Sequence, residues 1–225
     1  MDSMTSMQQF LTPADFGQAE FEEKRSRFIG RVWSVSCETV ARELVTEISQ
    51  EHIDAAHNVY AYIVRSSDVA DKSGSSGAVR YSDDGEPAGT AGMPVLNVLQ
   101  KENLHDVLCI VTRYYGGIRL GAGGLVRAYS QAAKMAVDAA GITIITRWRR
   151  LSVSCSYGHY DRVCKLTAEA SAAIDSVDYV AGVNMIILVV DTSADALIAR
   201  ITDVTAGSAE VQTLGYADLP APTTF

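Results

Sequence analysis

Nowhere does the chain carry a CxxC pair, and Cys37, Cys109, Cys155 and Cys164 have no histidine at zinc-finger spacing. Three of the four sit in or beside apolar runs, where a reduced thiol packs as a small hydrophobe, so buried structural thiols are expected rather than a zinc or redox site. No apolar run approaches the roughly 20 residues of a membrane-spanning helix. The opening MDSMTSMQQFLTP has no basic stretch followed by an apolar core of the kind that directs secretion, so a cytosolic, membrane-free protein is expected. An excess of positive charge is missing too. With 19 Lys and Arg against 27 Asp and Glu the net charge is -8, so any grip on nucleic acid has to come from a local patch. Covalent chemistry is equally thin. GxSxG and the Walker A spacing are absent, the dinucleotide fingerprint is not met in a strand-first context, and none of His52, His57, His105 and His159 stands in a recognisable nucleophile motif. The expectation is a protein with no catalytic residue, metal ligand or cofactor, leaning away from an enzyme.

Apolar content, by contrast, is ample: 48% of the 225 residues are hydrophobic, enough for a sizeable core in one large domain or two small ones. Charge is segregated along the chain. Residues 1–104 hold 9 basic and 16 acidic side chains, residues 105–150 hold 7 and 2, and residues 151–225 hold 3 and 9, for nets of -7, +5 and -6. A middle segment of opposite sign to both flanks points to an anionic partner there, with a solvated helix face as the alternative.

Periodicity predicts strands over SRFIGRVWSV, VYAYIVR and DVLCIVTRYY, and helices over CETVARELVTEISQEH, GMPVLNVLQKEN and GGLVRAYSQAAKMAVDAAG, the last closed by Gly141. DVADKSGSSGAVRYSDDGEP, polar and rich in Gly and Ser, reads as a loop or a solvent-facing hairpin. From Arg149 the order becomes strand (RRLSVSCSY), helix (GHYDRVCKLTAEAS), two strands (AIDSVDYV, VNMIILVV), helix (SADALIARITDVTAG) and strand (SAEVQTLGY). That βαββαβ order commonly closes as a four-stranded antiparallel sheet with two helices on one face. The fold class expected is therefore α+β, with domains at 1–146 and 147–225 meeting between Thr146 and Arg149.

Two glycine-rich stretches stand out. In YSDDGEPAGTAG, Asp83, Asp84 and Gly85 suit a turn, since Asp accepts local backbone hydrogen bonds and Gly supplies positive φ. Glu86, Gly89, Thr90 and Gly92 follow at once and lead into a helix start. Three readings stay open: a structural turn, a ligand or partner surface, or Mg²⁺ held by the carboxylates. As a surface position, Glu86→Gln would change stability by no more than about 0.5 kcal/mol. In RYYGGIRLGAGGLVRAYSQAAK, Gly116, Gly117, Gly121, Gly123 and Gly124 form a side-chain-poor approach to a helix, the geometry that offers backbone N–H donors to an anion. Arg113 and Arg119 flank it, Arg127 and Lys134 share a polar helix face, and Tyr114 and Tyr115 could stack on bases or pack in a core. His57, before a strand, is a structural or a pocket-lining histidine; with Asp83, Asp84, Glu86 and Thr90 it makes a possible pocket.

EEKRSRFIG (22–30), AAHNVYAY (55–62), YSDDGEPAGTAGMPVL (81–96) and VLCIVTRYYGGIRLGAGGLVRAYSQAA (107–133) together resemble the IMPACT family, in its order and spacing and over nearly the whole chain. Tyr115 stands where relatives often carry Phe. The resemblance implies an N-terminal domain like the second domain of ribosomal protein S5 and a ferredoxin-like C-terminal domain. It also implies a link to translation: eukaryotic relatives regulate it by binding partner proteins, with an extra N-terminal module not seen in this chain. The expected function is a translation-linked regulator whose N-terminal domain meets RNA or a ribosomal surface through phosphate contacts from Arg113, Arg119, Arg127 and Lys134. The acidic C-terminal domain is available to a protein partner. Two alternatives stand beside it: an enzyme or sensor handling a small phosphorylated ligand with Mg²⁺, and a purely protein-binding regulator.

Overall fold

A computed structural model describes residues 9–65, 77–179 and 182–221. It divides into two compact units, one spanning Phe10–Ile144 and one made of Gln9 together with the chain from Ile145 onward.

The first unit begins with all but the first residue of β1 (Gln9–Pro13), then β2 (Gly17–Glu23), β3 (Ser26–Ser34), α1 (Glu38–Glu51) and β4 (His57–Val64). It continues with β5 (Ala78–Ser82), α2 (Gly92–Lys101), β6 (Val107–Tyr114) and α3 (Ala122–Ala140). Strands β2-β3-β6-β4-β5 pair antiparallel in that order. Central β6 is buried on both faces, which is why it reads as an unbroken apolar run. Val107, Cys109 and Val111 face a core shared with α2 and α3, while Leu108 and Ile110 face a second core under α1. Part of the polar stretch expected as a loop or hairpin, residues 66–76, lies outside the described residues; its end forms β5, an antiparallel neighbour of β4.

The second unit takes most of β7 (Ile142–Cys155), then α4 (Tyr160–Glu169), β8 (Ala173–Tyr179), β9 (Val183–Val190), α5 (Asp191–Val204) and β10 (Glu210–Pro220). This is the expected βαββαβ order. Its strands pair antiparallel as β10-β7-β9-β8. Leu151, Val153, Met185, Ile187 and Val189 point from the sheet into a core with Val163 of α4 and Ala194, Leu197 and Ile201 of α5. The expected boundary between Thr146 and Arg149 falls inside β7, not in a linker. Among the described residues no helix is long and apolar enough to cross a membrane.

Candidate anion-binding site

The site lies in the first unit, and strand register builds its floor. Phe28 of β3 and His57 of β4 both pair with Arg113 of β6, so the three side chains stand abreast on the face that carries α2 and α3. After β5 the chain turns through Asp84 and Gly85, both at positive φ, and brings Glu86 back over this row. The two aspartates build the turn. Asp83 accepts the backbone N–H groups of Gly89 (2.8 Å), Ala91 (3.0 Å) and Gly92 (2.8 Å), which caps α2. Asp84 accepts the Asn58 N–H (2.5 Å), and its carbonyl accepts from His57 Nδ1 (2.7 Å). A carbonyl only accepts, so His57 Nδ1 bears a proton, and Nε2 lies on the other side of the ring, 3.7 Å from Glu86 Oε1.

Glu86 is not the surface residue expected from the loop sequence. It is buried, and its Oε1 accepts from Arg113 Nη1 (2.5 Å) and from the Tyr129 hydroxyl (2.7 Å). Burial, and then the Glu86 charge, push the Tyr129 hydroxyl well above its ordinary value, so it stays a donor. Arg113, only 5% exposed, also donates from Nη2 to Ser26 Oγ (3.3 Å), while its buried Nε–H meets no acceptor among the described residues. Phe28 and the half-exposed Tyr115 place their rings 5.4 Å from the guanidinium carbon.

Above this network opens a cleft of about 520 Å³, lined by His57, Glu86, Arg113, Tyr115, Arg119 and the start of α3. Gly116 lets the glycine loop lie against the β2–β3 turn, because a Cβ there would fall 1.9 Å from the Arg25 carbonyl oxygen. Gly121, at φ 74°, caps α3 and offers no side chain to its first N–H groups. The helix's own bonding starts at Leu125 N–H to Gly121 O. No acid stands in the first turn of α3, whereas α1, α4 and α5 carry Glu38, Asp161 and Asp191 there and α2 has Asp83. In place of a carboxylate come arginines. Arg119 lines the cleft, and Arg127 Nη1 lies 3.6 Å from where a Gly123 Cβ would be, over the first turn. Cations at the positive end of a helix dipole are a local conflict that a bound anion would relieve.

The residues singled out in the sequence thus divide into groups. His57, Glu86, Arg113, Tyr115, Arg119 and Gly121 meet at the cleft. Gly123, Gly124 and Arg127 belong to the opening turns of α3, and Gly116 and Gly117 shape the loop before it. Thr90 is buried and donates to the Pro87 carbonyl (2.7 Å). Lys134 is engaged by Glu102 (3.3 Å) and Asp138. The carboxylates weighed as Mg²⁺ ligands are turned to backbone N–H groups, Arg113 and Tyr129, and no group of three or more His, Cys, Asp or Glu among the described residues is arranged to hold a metal. Ser26, fully buried and accepting from both Arg113 and the Gly116 N–H (3.2 Å), was missed. It sits in the EEKRSRFIG motif, and that was its only signal.

Tyr114 points to the opposite face, away from Arg113 and Tyr115. There Arg31 Nη2 lies 2.6 Å from His52 Nε2, and His52 Nδ1 lies 2.8 Å from the Tyr114 hydroxyl, which donates to Asp54 (3.2 Å). Since the guanidinium can only donate, Nε2 accepts and Nδ1 bears the proton. Burial, followed by the Arg31 charge, holds His52 below its ordinary value of 6.5. The unfolded chain therefore binds more protons between the folded value and 6.5, so the stability from this contact is full above pH 6.5 and lost as the pH falls below it. Urea unfolding at pH 7.5 and 5.5 should show a larger acid loss in the wild type than in His52→Gln.

The pattern of the Impact N-terminal domain matches residues 24–137, and a domain of unknown function, DUF1949, matches residues 153–208. The chain is 32% identical over 203 residues to the IMPACT family member YvyE of Bacillus subtilis, covering 90% of each. It is 31% identical over 205 residues to the IMPACT family member YigZ of Escherichia coli, covering 91% of this chain and 98% of that one. A crystal structure of a hypothetical protein superposes with a TM-score of 0.60 at 30% identity, over 93% of this chain and 99% of the other. With its N-terminal motifs and its βαββαβ second unit both accounted for, the chain belongs to the IMPACT family.

Proposed function

We propose that this protein binds RNA through the first unit, in the translational setting that its family resemblance implies, by holding backbone phosphates at the start of α3. The observation that carries the reading is the gathering of Arg119, on the cleft, and Arg127, over the first turn, at a helix N-terminus that has neither a side-chain cap nor an acid, beside the half-exposed Tyr115. Phosphate there meets backbone N–H groups and guanidinium together, and Tyr115 offers a stacking surface to a base.

Two of the four cations first expected to hold phosphate are engaged inside the unit, Arg113 by Glu86 and Lys134 by Glu102 and Asp138. Arg119 and Arg127 are exposed. The log of the affinity for a single-stranded oligoribonucleotide is therefore expected to fall against log salt with a slope near -1.4, about -0.7 for each of two phosphates, rather than the roughly -3 of four contacts. Arg127→Gln should halve that slope and weaken binding evenly across sequences, because a phosphate contact carries no base information. Fluorescence anisotropy across a salt series measures both. A flat salt dependence, or unchanged affinity in the Arg119→Gln and Arg127→Gln double variant, removes RNA as the partner of this face.

A further inference from the structure

Building on that reading of the α3 start, we propose that the cleft recognises a phosphomonoester: the 5′-phosphate at the end of an RNA strand or on a free nucleotide, in preference to an internal phosphodiester. Donor count is the first reason. The first three N–H groups of α3, on Ala122, Gly123 and Gly124, have no partner within the helix, and two guanidinium groups flank them. A terminal phosphate brings three oxygens and a charge of about -1.5 to -2 at neutral pH, whereas an internal diester brings two free oxygens and a single charge. Two arginines and the positive end of a helix dipole, worth roughly half a charge, match the former.

Shape is the second reason. One wall of the cleft is the start of α3 and the other carries His57 and Glu86, with the buried Glu86–Arg113 pair among its lining. A volume of about 520 Å³ falls in the range of small-ligand sites, roughly 300–1,000 Å³, and suits one nucleotide.

The third reason is independent of the helix. Arg113 lines the cleft at 5% exposure with its Nη1 and Nη2 committed to Glu86 and Ser26, and its Nε–H is left without an acceptor among the described residues. Buried donors are rarely left so without a functional reason. We assign that acceptor to an oxygen of a ligand reaching in beside Tyr115, while the Arg113 charge stays paired with Glu86.

The test uses the full chain and three probes: one short oligouridylate with a 5′-phosphate, the same oligouridylate with a 5′-hydroxyl, and uridine 5′-monophosphate as competitor. The phosphorylated strand is expected to bind at least tenfold more tightly than its hydroxyl counterpart, with uridine 5′-monophosphate displacing it. Arg119→Gln, at an exposed position, should bring the ratio to near one while the melting temperature holds. Equal affinity for the two strands, both salt-dependent, overturns the end preference and leaves RNA binding standing. If neither strand binds, the RNA reading fails and the mononucleotide decides: Arg119-dependent binding of uridine 5′-monophosphate upholds the phosphomonoester site, and its absence overturns it.

Discussion

Glu86→Ala is expected to destabilise the first unit by about 3–5 kcal/mol, a third or more of the total stability of a typical domain. Glu86 and Arg113 expose only 4% and 6% of their side chains, so removing the carboxylate strands a guanidinium in a site with little water to solvate it. Tyr129 loses its acceptor at the same time, and its hydroxyl is fully enclosed. Glu86→Gln should fall between, at about 2 kcal/mol, because it keeps an acceptor for both donors and loses only the charge. Urea unfolding followed by circular dichroism measures each. The double variant Glu86→Leu with Arg113→Met separates two causes: if the cost lies in the orphaned charge, replacing both partners by apolar groups restores most of the loss. A loss below about 1 kcal/mol in Glu86→Ala would falsify the buried network and return Glu86 to the exposed loop first expected.

That reversal for Glu86 shows where sequence reasoning gives out. The strands and helices that bury a face carry a period of their own: Val107–Tyr114 is apolar on both sides because it is central, and α3 repeats alanines at helical spacing. β2 was overlooked because GQAEFEE offers only Ala19 and Phe21 as half-buried residues on an edge strand, too weak an alternation to stand out. Some of the site was within reach. Once residues 107–114 are a strand, period two puts Arg113 and Tyr114 on opposite faces, so the tyrosine pair had to split. What no local pattern contains is the β3–β6–β4 register that sets Phe28, Arg113 and His57 abreast, or the turn that delivers Glu86 onto them. Those depend on pairings across 27 to 87 residues of chain. The glycine loop could be read as an anion cradle from composition. That its arginines serve different ends, Arg113 within the floor and Arg119 at the cleft, required the packing.

Gly123→Asp is expected to make the protein more stable and to weaken its binding of phosphate by about 30-fold or more, an opposite movement that few other variants would produce. The position accepts a side chain: a Cβ at Gly123 meets nothing closer than Arg127 Nη1 at 3.6 Å, and the residue sits in the first turn of α3. There a carboxylate faces unpaired N–H groups, the positive end of the helix and a guanidinium four residues on. Relief of the glycine penalty and the dipole interaction together should raise stability by about 1 kcal/mol. The same carboxylate occupies the place assigned to the ligand. At about 5 Å, with an effective dielectric between roughly 20 and 80, it repels each unit of phosphate charge by about 1–3 kcal/mol, which for a dianion lowers affinity about 30-fold or more. Gly123→Ala supplies the control. It shares the gain in helix propensity without the charge, so it should melt higher than the wild type and bind within about threefold of it. Thermal melts and oligoribonucleotide titrations on the three proteins decide the matter. If Gly123→Asp is stabilised yet keeps full affinity, the N-terminus of α3 is not where the anion sits.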